Sequence, residues 1–241
     1  MEIVKHEVNV RTGGEQMPCH LARPASGGPY PGLVVVMEAF GLNGNIKNIT
    51  DRFAAEGFAA IAPNLYFRFP DNVVPYSELP RAIGLVGKLN DDQVVADMTA
   101  SINYLKGLKE VKPNFGTVGF CMGGRVAFLA ACRDSEVKAT APFYGGGMVT
   151  PRQPGSKAPI DYVGGLKARV MAFFGGKDAF IPLSDVDKFR DELKKAGKDS
   201  EVILYDDADH GFMCDERPSY HPAHSKEAFA KSVGFFKEQL G

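Results

Sequence analysis

Gly119-Phe120-Cys121-Met122-Gly123-Gly124 stands between a short β-type run at 117–120 and a helical stretch at 123–131. A chain that passes from strand to helix in so few residues must turn sharply, which forces the central side chain out of the sheet. Small residues two before and two after Cys121 suit such a turn because it presses backbone against backbone, and the middle residue is held under strain. The pattern is a nucleophile elbow carrying a thiol, with a helix N-terminus beneath the sulfur. The same residues also fit a buried cysteine in a glycine-rich turn, so the reading depends on its surroundings.

Working outward, apolar runs alternate with helix-like stretches, as when parallel strands are covered on both faces. The runs at 33–37 (LVVVM), 58–62, 139–143, 169–174 and 202–205 read as strands. Segments 46–56, 92–108, 186–196 and 222–240 read as helices; in the second, Val94, Val95, Met98, Ile102 and Leu105 share one face and Asp91 is placed as its cap. Segments 4–10 and 17–22 are expected to pair antiparallel at one sheet edge. The Gly- and Pro-rich stretch 145–159 reads as a long surface loop within one domain spanning 1–241.

Two further residues fall where an elbow would need them. Asp178 closes Gly175-Gly176-Lys177-Asp178 just beyond the strand at 169–174, and His210 lies in Asp209-His210-Gly211-Phe212 beyond the strand at 202–205. Both sit at strand carboxyl ends, where ligands gather in open α/β sheets. The order is nucleophile, acid, histidine. A thiol attacks a carbonyl, an imidazole manages the proton and a carboxylate fixes the imidazole tautomer. The N–H of Met122 and that of Ala39, just past the 33–37 strand, are the expected oxyanion donors. Taken singly, Asp178 also suits a turn aspartate and His210 a loop histidine.

Composition removes other classes. The chain has 241 residues, 44% hydrophobic and 24% charged, enough to bury a full core without staples. Lys plus Arg is 28 against 29 Asp plus Glu with no dense basic run, so no nucleic-acid partner is expected. Cys19, Cys121, Cys132 and Cys214 form no CxxC pair, which points to free thiols in a reducing compartment. No apolar stretch is long enough for a membrane span and the first residues are charged, so a cytoplasmic chain with no membrane partner is expected. His221 and His224 show no further ligand at metal-site spacing, Gly145 to Gly147 lack the phosphate-binding signatures, and no redox motif is present; neither metal nor cofactor is expected. Asp206, Asp207 and Asp209 read as a polar turn.

Five segments together carry a resemblance: Glu38-Ala39-Phe40-Gly41-Leu42-Asn43, Pro63-Asn64-Leu65-Tyr66, Gly119-Phe120-Cys121-Met122-Gly123-Gly124, Gly175-Gly176-Lys177-Asp178 and His210-Gly211-Phe212. Over nearly its whole length the chain resembles the dienelactone hydrolase (carboxymethylenebutenolidase-like) family of α/β hydrolases. The resemblance implies an α/β-hydrolase fold, a Cys121, His210, Asp178 triad, and hydrolysis of a small lactone or carboxylester through an acyl-cysteine. It also implies that Glu38, at the position of the family's glutamate, helps control the thiol. Members acting on dienelactone hold the substrate carboxylate with two arginines. Arg81 lies in the segment of the first; the second position is Cys214 here, with Arg217 close by. Phe40 and Tyr144 are expected at the substrate. A thioesterase or other carboxylesterase would use the same groups, and a ligand-binding or redox-sensing descendant would keep the thiol without turnover.

Overall fold

The computed structural model describes residues 1–152 and 155–241. Eight strands form one mixed sheet in the order β1-β2-β4-β3-β5-β6-β7-β8, with helices on both faces. The strands are β1 (Ile3–Thr12), β2 (Glu15–Pro24), β3 (Tyr30–Val36), β4 (Ala59–Pro63), β5 (Val111–Phe120), β6 (Val137–Phe143), β7 (Arg169–Gly175) and β8 (Ser200–Tyr205). The first two pair antiparallel at one edge and β2 joins β4 antiparallel; β4 through β8 run parallel. Residues of β3 and β4 such as Leu33, Val34, Val35, Ala60 and Ile61 are fully buried. Such strands are apolar along their length because helices cover both faces, which is why they read as continuous runs rather than alternating ones.

The helices are α1 (Gly44–Ala55), α2 (Leu79–Lys88), α3 (Asp91–Lys106), α4 (Met122–Arg133), α5 (Leu183–Lys195) and α6 (Pro222–Leu240). Asn43 caps α1 by accepting the Ile46 N–H at 3.2 Å, and Gly57, at φ 101°, takes the left-handed conformation that ends it. The cap of α3 is Asn90, which accepts from the Asp92 and Gln93 N–H groups, and not Asp91. Asp91 is instead drawn into a bidentate pair with the buried Arg125, at 2.7 and 2.8 Å.

Helix α2 has no counterpart among the helices expected from sequence. Pro80, Gly84 and Gly87 lower its helix propensity, and tertiary contacts through the buried Ala82 and Leu85 hold it. Strand β5 begins six residues before the 117–120 run because Val111 and Lys112 already pair with Tyr30 and Pro31 of β3, ahead of an irregularity at Pro113 and Asn114. The 145–159 stretch is less of a surface loop than expected: Gly145, Met148 and Val149 are buried, and a 3₁₀ turn (Pro159–Gly165) closes it. Residues 153 and 154 of that stretch lie outside the described residues. No helix among the described residues is long and apolar enough to cross a membrane.

Candidate active site

The parallel strands deliver their following residues to one rim: Glu38, Ala39 and Phe40 after β3, Cys121 after β5, Tyr144 after β6, Asp178 after β7 and His210 after β8. Cys121 has φ 56° and ψ −121°, and with Tyr144 it is one of two non-glycine residues at positive φ among those described. Its N–H donates to the Phe143 carbonyl at 3.0 Å while its own carbonyl accepts the Gly124 N–H at 2.9 Å, starting α4. The glycines around it are sterically required. A Cβ on Gly119 would overlap the Gly123 carbonyl, and one on Gly123 would overlap the carbonyls of Val36 and Met37. Cys121 is half-buried, whereas Cys19, Cys132 and Cys214 are buried.

Asp178 and His210 are carried by two loops locked to each other. The Gly176 N–H donates to Tyr205 O at 2.8 Å and the Lys177 N–H to Ala208 O at 2.9 Å; a Cβ on Gly175 or Gly176 would strike the neighbouring loop's backbone. His210 Nδ1 then lies 2.7 Å from Asp178 Oδ2, and Oδ1 of the same carboxylate accepts the Phe180 and Ile181 N–H groups at 2.8 and 3.2 Å. Burial alone would lower the imidazole pKa. The Cys121 sulfur and the Asp178 carboxylate outweigh it and push the value up to about 10. The rings of Tyr144 and Phe180 flank His210 edge-on at 5.2 and 5.1 Å.

Cys121, His210, Ala39, Met122, Phe40 and Arg217 line one cavity of about 190 Å³. The Tyr66 hydroxyl donates to Ala39 O at 3.0 Å and so fixes the peptide plane at that corner. Glu38 is fully buried below it, with Tyr144 Oη donating to its Oε1 at 3.2 Å and Arg217 Nη1 3.9 Å away. Burial raises the Glu38 carboxyl above the usual carboxylate range, and Arg217, His210 and Tyr144 pull it partly back. The Arg217 guanidinium also lies over the Phe40 ring at 5.5 Å.

Arg81 is not brought to this cavity. It stands on the outer side of α2, half-exposed, paired with Asp71 and Glu78 at 2.9 and 2.8 Å. Cys214, at the position of the family's second arginine, lies behind the wall with its thiol donating to Tyr76 Oη at 3.3 Å. The walls that sequence reading missed are Leu79, Ile83 and Val86 of α2, together with Phe180. Phe180 follows Asp178 by two residues, but no periodicity marks it as a wall.

The expectation that His221 and His224 lack a further ligand needs correction. Asp207 lies 2.6 Å from His224 Nε2 and 3.4 Å from His221 Nε2, with the two rings stacked at 3.9 Å. His221 Nδ1 accepts the His224 N–H and caps α6, which leaves the ring proton on the nitrogen that faces Asp207. These donors hold a helix start in place, and a metal ion there would have to displace them.

The sequence model of the dienelactone hydrolase family matches residues 17–240. The chain is 35% identical over 241 residues to a protein of Escherichia coli (strain K12) named "Putative carboxymethylenebutenolidase", covering 99% of this chain and 89% of that one. A protein of the same name from Synechocystis sp. is 36% identical, with 93% of each chain covered. A crystal structure titled as a putative dienelactone hydrolase from Klebsiella pneumoniae superposes with a TM-score of 0.91 at 33% identity, covering 99% of this chain and 100% of that one.

Proposed function

The chain belongs to the dienelactone hydrolase family and is a carboxylic ester hydrolase, and from that premise we propose that Cys121 is the nucleophile of a triad with His210 and Asp178. The observation that carries this is the 2.7 Å contact of His210 Nδ1 with Asp178, made by a ring that shares its cavity with the Cys121 sulfur.

The substrate is a small lactone or carboxylester. Cys121 passes its thiol proton to His210 Nε2, Sγ bonds to the substrate's carbonyl carbon, and the carbonyl π pair moves onto oxygen, where the N–H groups of Met122 and Ala39 receive the charge. Collapse re-forms the carbonyl and breaks the ester C–O bond, and the departing oxygen takes a proton from His210. In a lactone the leaving alcohol stays tethered to the acyl group. Water then attacks the thioester with His210 as base, which releases the acid and restores the thiol. Asp178 keeps the Nδ1 proton in place throughout, so Nε2 faces the sulfur and the water. Glu38, buried beneath the oxyanion corner, acts on the thiol through charge and is held by Arg217 and Tyr144.

Intact-mass analysis after rapid mixing with p-nitrophenyl acetate tests this reading. An acetyl adduct mapped to Cys121, and no turnover in Cys121→Ala, are expected; turnover that survives in Cys121→Ala refutes it.

A further inference from the structure

The large apolar side chains on the cavity wall, beside the reacting groups, are Phe40, Leu79, Ile83, Val86 and Phe180. Leu79, Ile83 and Val86 recur at four- and three-residue spacing, so α2 presents one apolar stripe to the cavity while Ala82 and Leu85 face the core. Two of these side chains are unusually bare for their size: Ile83 is 54% exposed and Phe180 57%. They stand at the mouth of a cavity that also holds Cys121 and His210, so the molecule that covers them is one that reaches the sulfur.

Charge points the same way. Arg217 is the guanidinium in the cavity lining, and it faces the buried Glu38 carboxyl at 3.9 Å and the Phe40 ring. Arg81 is turned outward onto Asp71 and Glu78, and Arg125 and Arg152, which line the adjoining pocket beyond Val86 and Phe180, are both held by Asp91, at 2.7 and 3.6 Å. A carboxylate bound here would compete with Glu38 for Arg217 while lying against aliphatic side chains, which costs its hydration.

We propose that the ester turned over at this site is neutral and carries an apolar arm of several carbons, laid along the α2 stripe between Ile83 and Phe180. The proposal rests on Cys121 being the nucleophile and adds the selectivity of the same site. Each methylene that leaves water for the stripe raises kcat/KM by about threefold to fourfold, the equivalent of ~0.8 kcal/mol per buried CH₂.

The test is kcat/KM for p-nitrophenyl acetate, butanoate and hexanoate, for methyl, butyl and hexyl acetate, and for p-nitrophenyl hemisuccinate as the acidic member. A rise of about tenfold or more from the shortest to the longest member in either neutral series, with hemisuccinate below butanoate, is expected. Ile83→Asp, on an exposed helix position, should lower the long-to-short ratio at least tenfold at an unchanged Tm. Flat profiles in both series, or hemisuccinate as the best substrate, overturn the proposal. Acetate turnover that depends on Cys121 with a flat profile overturns the selectivity alone, whereas acetate turnover that survives in Cys121→Ala overturns the nucleophile on which it rests.

Discussion

Replacing Asp178 by asparagine exchanges one carboxylate oxygen for an NH₂ group and reverses the logic of the imidazole. Oδ1 of Asp178 accepts two backbone N–H groups, from Phe180 and Ile181, while Oδ2 meets His210 Nδ1. An asparagine must keep its oxygen on the two N–H donors, because an amide NH₂ placed there would leave buried donors facing one another at about 1–3 kcal/mol each. Its NH₂ then points at Nδ1 and donates, so the ring carries its proton on Nε2 and cannot accept one from the thiol or from water. Loss of the charge-assisted bond alone is worth about 1.5–3 kcal/mol, or roughly tenfold to 150-fold in rate. The wrong tautomer adds to this; in the serine-protease case the same exchange lowers kcat by about 10⁴. A thiol needs less help than a hydroxyl, which places the expected loss in kcat/KM between about 10² and 10⁴. Because the Phe180 and Ile181 donors stay satisfied, the variant should keep its far-UV circular dichroism and unfold cooperatively. The assay is hydrolysis of p-nitrophenyl acetate between pH 7 and 9 beside a thermal melt. A folded Asp178→Asn within tenfold of wild type would refute the tautomer argument and leave Asp178 a turn residue.

The remaining predictions concern the thiols and the two perturbed groups. Limiting iodoacetamide should label Cys121 first, since burial pushes the Cys19 and Cys132 thiols up to about 12 and that of Cys214 to about 11; peptide mapping that finds another cysteine ahead of it rejects the assignment. His210 is raised from 6.5 to about 10, so the stability it gains from Asp178 and Cys121 is full below pH 6.5 and is lost as pH rises through 10. The Tm gap between wild type and His210→Gln should narrow over that window, and an NMR titration should place the imidazole midpoint lower in Cys121→Ala than in wild type. Glu38 is also raised, so its ionisation in the fold costs stability progressively above pH 4.5; the Tm of Glu38→Gln should move upward relative to wild type as the buffer is taken from pH 4 to 8, and a constant difference would mean that the carboxyl is not desolvated.

Some of this was written locally and some was not. The convergence of Cys121, Asp178 and His210 on one rim could be read because each follows an apolar run within a few residues, and parallel strands place such positions side by side. Glu38 stood out for a similar reason, as a charge that ends the run LVVVM. Arg81 misled because the direction of an exposed arginine depends on α2, and the proline and two glycines of LPRAIGLVGK hide that helix from a propensity count. Ile83 and Phe180 look like any core hydrophobe in a one-dimensional pattern; that they border an opening is a property of the packed chain. Asp207 meets His221 and His224 across a long loop, a contact no spacing rule reaches. The Asn90 cap was lost to its neighbour because both residue types cap helices well, and the buried Arg125 that claims Asp91 comes from another element.

The backbone at Cys121 carries one more implication. A side chain held at φ 56° and ψ −121° lies where glycine is at ease and other residues pay about 1–3 kcal/mol, and the surrounding carbonyls leave the turn no room to relax. Any library screened for heat resistance alone should therefore enrich Cys121→Gly, while the same library screened for turnover should discard it. With Cys121 as the proposed nucleophile, fitness for folding and fitness for work are opposed at this position, and a population grown without its substrate would drift toward a sturdier, inert protein by one codon change.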